Sequence, residues 1–163
     1  MTPPRPPREA FTPSNFLALE PDQSSFDTSR VVLLPVPYDG ATSFRSGARE
    51  GPRAIIEASH HLEDFDDELK LEPCTAGIHT LPELEMHAGS PKAMAQRVTR
   101  VIAPLADAGK LVGTLGGDHS LTTGAAEAFR RTYPDLSVLY LDAHADLRDR
   151  YQGSQYSHAC SAR

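Results

Sequence analysis

Three residues at alternating positions, Asp142, His144 and Asp146, bring two carboxylates and an imidazole into a stretch of five residues. They follow the apolar run Ser137-Val138-Leu139-Tyr140-Leu141, whose length and composition suit a buried strand. Side chains at i, i+2 and i+4 of an extended segment point the same way. The alternation therefore predicts that all three meet just past the strand. Such a group repels itself, or is costly to desolvate, unless a cation lies within it. The plainer reading is a polar strand end making caps and turns. The metal reading gives half of a site, with a donor set that suits Mn²⁺, Zn²⁺ or Fe²⁺ over a thiolate-seeking metal.

Two more histidines are candidates. His119 lies in Gly116-Gly117-Asp118-His119-Ser120, where paired glycines permit a tight turn and Asp118 is placed to orient an imidazole ligand. His158, in Ser154-Gln155-Tyr156-Ser157-His158, reads either as a loop histidine or as a proton shuttle, since imidazole titrates near neutral pH. His60, His61, His79 and His87 lack supporting neighbours and read as structural or surface groups. Cys160 reads as a small apolar filler. The loop from Thr42 to Pro52, with Asp39 and Gly40 before it, reads as structural, with arginine pairs, and as a wall of the site.

Positioning these groups requires strands that end at them. Val31–Val36 and Leu111–Leu115 are apolar runs of strand length, as is 137–141. Helices are predicted from Pro52 to Ser59, from a Ser90 cap with Pro91 at the first position, and from Ala125 to Arg131. Pro104 is expected to interrupt or end the second of these. Alternating strands and helices predict βαβ units and a parallel sheet, and such sheets place sites beyond the carboxyl ends of their strands.

Bulk properties narrow the function. A chain of 163 residues is one domain in size, able to bury roughly 70% of its unfolded surface. A net charge of −6 with no basic block argues against nucleic-acid binding. No apolar run approaches the ~18 residues of a membrane span. Two cysteines form neither a disulfide framework nor a thiolate metal motif, which fits a reducing cytoplasm. Residues 1–13, with five prolines and no apolar core, read as a disordered tail and not a secretory signal.

Taken in order, several blocks resemble the ureohydrolase family, which includes arginase and agmatinase. They are Pro37 to Gly40, Arg45 to Arg49, Gly51 to Ala54, Gly116 to Ser120, Asp142 to Asp146, and Ser157 to Ala159. The first block and Tyr156-Ser157-His158-Ala159 look most like agmatinases. The resemblance implies a three-layer α/β/α sandwich around a parallel sheet. It also implies a pair of Mn²⁺ ions, with His119, Asp142 and Asp146 on one ion and Asp142 and His144 on the other. Hydroxide between the ions would attack the carbon of a small guanidino substrate, giving urea and an amine, which is putrescine if the substrate is agmatine. His158 would match the family's proton-transfer histidine, and Asp146 is counted with it as catalytic.

The family draws its remaining ligands from a later Asp-x-Asp, and none follows His158. The expectation is that residues 14–163 are the N-terminal part of a truncated single domain, inactive alone and homo-oligomeric when full length. Other readings stay open. Arg148 and Arg150 are placed to recognise a carboxylate, as in guanidinobutyrate or formiminoglutamate. Arginine itself is a further substrate candidate. The chain also reads as a non-catalytic protein needing a partner chain. A single-zinc deacetylase of the same sandwich is disfavoured, because the 116–120 block adds a histidine to the site.

Overall fold

The computed structural model describes residues 11–163, so most of the expected tail lies outside the described residues; residues 11–13 form no helix or strand. The elements in order are α1 (Pro21–Ser24), β1 (Val31–Val36), α2 (Gly51–Ser59), β2 (Ile78–Thr80), α3 (Pro91–Asp107), β3 (Leu111–Gly116) and α4 (Thr122–Thr132), joined by short 3-10 turns. The strands form a parallel sheet in the order β2-β1-β3. Val31 pairs with Ile78 on one side and Leu111 on the other, and the longer ladder runs to Val36 opposite Gly116. The carboxyl ends of β1 and β3 therefore finish side by side.

Strand β1 is the centre of the core. Val32, Leu34 and Val36 are fully buried, and Leu34 and Val36 pack against Met94, Val98 and Ile102 of α3 and Ala128 of α4. These α3 residues recur at helical spacing, which makes one apolar face. Helix α2 covers the opposite side of β1 and β3, where Pro35 shares a cleft with Ile56. Helices on both faces of a parallel sheet give the three-layer α/β/α arrangement. At the closest approach of α3 and α4, a β-carbon on Gly124 would stand 2.3 Å from the Ala95 carbonyl oxygen. The buried Thr99 hydroxyl donates to the Gly124 carbonyl at 2.9 Å across that contact.

The start of α3 is as the sequence predicts: the Ser90 side chain accepts from the Ala93 N–H, with Pro91 in the first turn. Its end is not. Pro104 neither interrupts nor ends the helix, which continues to Asp107. Pro104 and Arg100 both lie on the exposed side, so the Arg100 carbonyl that loses its helical donor can turn to water. Ile102, Leu105 and Ala106 hold the last turn against the core.

Two other expectations change. Strand β2 carried no sequence signal, being a three-residue edge around His79. Residues 137–141 form no strand. Val138, Leu139 and Leu141 are exposed, and among the described residues no backbone hydrogen bond joins this run to the free edge of β3. A strand composition yields a strand only where a neighbouring ladder and cover on its faces are supplied. No helix among the described residues is long and apolar enough to cross a membrane.

Candidate metal centre

The loops leaving β1 and β3 are locked together at their bases. The Gly117 N–H donates to Val36 O at 3.2 Å and the Asp118 N–H to Tyr38 O at 2.7 Å. This carries the sheet pairing one step past the strands and fixes where His119 begins. The Asp118 side chain does not touch the His119 ring. Its carboxylate, buried, accepts from the Ser120 N–H and hydroxyl and from the Ala41 N–H at 2.8 Å. It caps its own turn and ties down the β1 loop.

His119, Asp142 and Asp146 come together, with one ligand atom from each lying within 4.8 Å of the others. His119 Nδ1 stands 2.9 Å from Asp146 Oδ2 and 3.4 Å from Asp142 Oδ2. Asp146 is the most enclosed, its side chain 10% exposed. Tyr140, two residues before Asp142, stacks on the His119 ring with centroids 5.3 Å apart and donates its hydroxyl to Asp146 at 2.9 Å. The Ser161 hydroxyl lies 3.3 Å from the same carboxylate oxygen. Neither Tyr140 nor Ser161 was singled out from sequence. The alternation that places Tyr140 on the Asp142 side of an extended chain was the available signal for it.

His144 does not join this group. Its side chain is 81% exposed, with Nδ1 3.3 Å from Asp142 Oδ1, whereas His119 approaches Oδ2. The prediction of a common meeting point assumed an extended segment. Here the Asp142 carboxylate accepts the His144 N–H at 2.8 Å, and Asp146 adopts φ +46°, a left-handed conformation that aspartate tolerates better than most residues. The chain bends between them and swings His144 outward.

His158 lines the same cleft, a space of about 680 Å³ bounded also by His119, His144, Asp146, Arg148 and Tyr151. Its Nδ1 lies 2.7 Å from the Ala41 carbonyl oxygen, and the Tyr151 ring meets it edge-on. Arg148 sits over the Tyr151 ring at 5.3 Å. Arg150 is not part of the cleft wall. Cys160 and Cys74 are both buried and form no disulfide with each other.

Electrostatics favour ionised carboxylates. For Asp146, burial pushes the pKa upward, but donation from Tyr140 and His119 outweighs it and the net shift is down. For Asp142, the His144 N–H is the largest cause of a downward shift, with burial opposing. Deprotonated carboxylates beside an imidazole nitrogen are what a hard or borderline divalent cation takes as ligands. The residues present fit such an ion.

Residues 29–163 match the arginase family. The chain belongs to it. It is 41% identical over 157 residues to the N(1)-aminopropylagmatine ureohydrolase of a Synechocystis species, covering 93% of this chain and 51% of that protein. An agmatinase of Bacillus anthracis is 32% identical over 155 residues, 95% of this chain and 52% of that one. The crystal structure of the agmatine ureohydrolase of Thermoplasma volcanium superposes with a TM-score of 0.83 at 26% identity, covering 96% of this chain and 51% of the other. This arginase-family chain thus spans about half the length of the curated relatives it matches.

His60 and His79 have structural partners: His60 Nε2 meets Asn15 O at 2.9 Å and His79 Nδ1 meets Ser24 O at 2.8 Å. The loop after β1 is held by Asp39, which is buried and accepts from the Gly47 N–H and the Arg49 guanidinium.

Proposed function

We propose that this chain supplies the histidine and first two aspartates of a manganese-dependent ureohydrolase site. The substrate we infer is a guanidino polyamine, N(1)-aminopropylagmatine ahead of agmatine. The observation that carries the reading is the convergence of His119, Asp142 and Asp146 at the carboxyl ends of two parallel strands. Bound Mn²⁺ would lower the pKa of water and supply hydroxide at neutral pH.

The chain's own residues account for the rest of their share. Asp142 presents one carboxylate oxygen toward His119 and the other toward His144. Asp142 would help hold one ion with His119 and Asp146, and Asp142 with His144 would hold a second. Tyr140 holds the Asp146 carboxylate by its hydroxyl. His158, on the cleft wall, has its Nδ1 engaged by Ala41, which leaves Nε2 to move a proton. In the overall change, water adds to the guanidino carbon, the C–N bond to the alkylamine breaks, and the departing nitrogen takes a proton. Urea and a free amine result.

Names of relatives support the substrate order. An N(1)-aminopropylagmatine ureohydrolase of Thermus thermophilus is 47% identical over 138 residues, against 32% over 155 for the agmatinase of Bacillus anthracis. Arg148 on the cleft wall favours a second reading, a guanidino acid whose carboxylate it would pair. The free, buried cysteines support a reducing compartment, the cytoplasm.

The test is urea release, with Mn²⁺, by the protein as its native cell makes it. N(1)-aminopropylagmatine, agmatine and 4-guanidinobutyrate are compared by kcat/KM. The expected order is as written. Urea from none of the three sinks the hydrolase reading, and preference for guanidinobutyrate replaces the substrate with the second one.

A further inference from the structure

We propose that Asp118 is a positioning residue that, through Ala41, sets the tautomer of His158. The inference deepens the hydrolase reading and rests on it for what the His158 proton does; the tautomer itself follows from geometry.

Ala41 is held at both ends of its backbone by residues far away in sequence. Its N–H donates to Asp118 Oδ2 at 2.8 Å, and its carbonyl accepts from His158 Nδ1 at 2.7 Å. A carbonyl oxygen offers only lone pairs, so the proton in the second bond belongs to Nδ1. In the neutral ring Nε2 is then bare, and Nε2 is the nitrogen a proton acceptor in the cleft needs. Among the described residues, the other polar side-chain atom recorded at His158 Nδ1 is the Ser157 hydroxyl at 3.4 Å, too long to compete.

What makes Asp118 the source of the order is its own confinement. It is buried, its N–H is fixed on Tyr38 O, and its other carboxylate oxygen is occupied by the Ser120 N–H and hydroxyl. The carboxylate cannot turn without stranding several donors, and a stranded buried donor is costly. Ala41 itself sits at the start of an exposed loop whose next anchor is Asp39, with the Thr42 hydroxyl on Asp39 O at 2.9 Å. Removing the Asp118 carboxylate frees the Ala41 N–H and lets its carbonyl drift from the ring. Asn at this position keeps one acceptor where two are needed; the two Ser120 donors retain that oxygen, so an amide NH2 faces the Ala41 N–H and Ala41 loses its partner.

The experiment is a long-range ¹H–¹⁵N spectrum of the histidine rings in ¹⁵N-labelled protein, recorded at alkaline pH. Wild type is expected to show His158 as the Nδ1–H tautomer. D118N should shift it toward the Nε2–H form that free imidazole side chains prefer. S120A removes an Asp118 partner without touching Ala41 and should leave the tautomer unchanged. A wild-type ring protonated at Nε2, or an unaltered ring in folded D118N, overturns the proposal. If D118N does not fold, the trans-hydrogen-bond coupling between the Ala41 nitrogen and the Asp118 carboxylate carbon is measured in wild type. Its presence supports the relay and its absence overturns it. None of these spectra reads urea release, so failure of the hydrolase reading and failure of this inference show in different experiments.

Discussion

Gly117 passes so close to Tyr38 that a β-carbon on it would stand 1.8 Å from the Tyr38 carbonyl oxygen and 2.9 Å from its nitrogen. Both are backbone atoms, so no side chain can rotate away. This contact fastens the loops after β1 and β3 together, directly ahead of Asp118 and His119. G117A is expected to cost at least about 3 kcal/mol, near the upper end of overpacking penalties. Thermal unfolding should show it as a Tm lower by roughly 10 °C. A change below a few degrees would mean that the two loops separate freely.

Metal affinity should rank the site residues by how far each is enclosed. Asp142 and Asp146 supply two of the three converging ligand atoms, so D142N and D146N should each weaken Mn²⁺ binding by at least about 100-fold. H144N should cost much less in a one-ion titration, because His144 stands outside that group. Affinity should also fall with acid, since carboxylate and imidazole ligands bind a metal ion only in their unprotonated forms. Calorimetry in buffers of different protonation enthalpy reads both affinity and proton release. Equal losses for all three variants would contradict the ranking.

What could be read from the sequence was whatever a short window determines. The run Val31–Val36, the Ser90 cap with Pro91, and the glycine pair before His119 each carry their reason within a few residues, and each stands as predicted. Readings failed where the deciding contact was distant. Pro104 stays helical because Ile102 and Leu105 are packed against the core, which outweighs one lost backbone bond. Residues 137–141 have strand composition but, among the described residues, make no backbone hydrogen bond to the free edge of β3. His144 was placed with its neighbours by an alternation that the bend at Asp142 and Asp146 breaks. The Ala41 carbonyl that holds His158 has no sequence signal, since any residue brings a carbonyl.

Acid should loosen the loop after β1. Hydrogen bonding from Arg49 is the main reason the Asp39 pKa lies below its usual 3.8, with the Gly47 N–H assisting and burial opposing. A depressed folded-state pKa gives stability that is complete above the unfolded value and lost as pH falls through the folded one. In wild type this loss belongs below pH 3.8. R49A removes the main cause of the depression, so Asp39 should protonate at higher pH and the acid-unfolding midpoint should move up. R49K, which keeps the charge but not the two-pronged donor, should fall between. Circular dichroism against pH decides, and identical midpoints for all three would remove Asp39–Arg49 as an anchor.

Leu139 and Leu141 are 84% and 87% exposed, next to a half-open apolar run that includes Val138. Contiguous exposed apolar side chains promote association. Replacing both with lysine removes apolar surface from water without opening a cavity, because neither side chain fills one. The double variant L139K/L141K should therefore keep its thermal stability within about 0.5 kcal/mol of wild type. Its share of monomer in sedimentation velocity at fixed concentration should rise. A large fall in Tm instead would mean that these leucines are covered in solution, and that the association they mediate is part of what holds the chain folded.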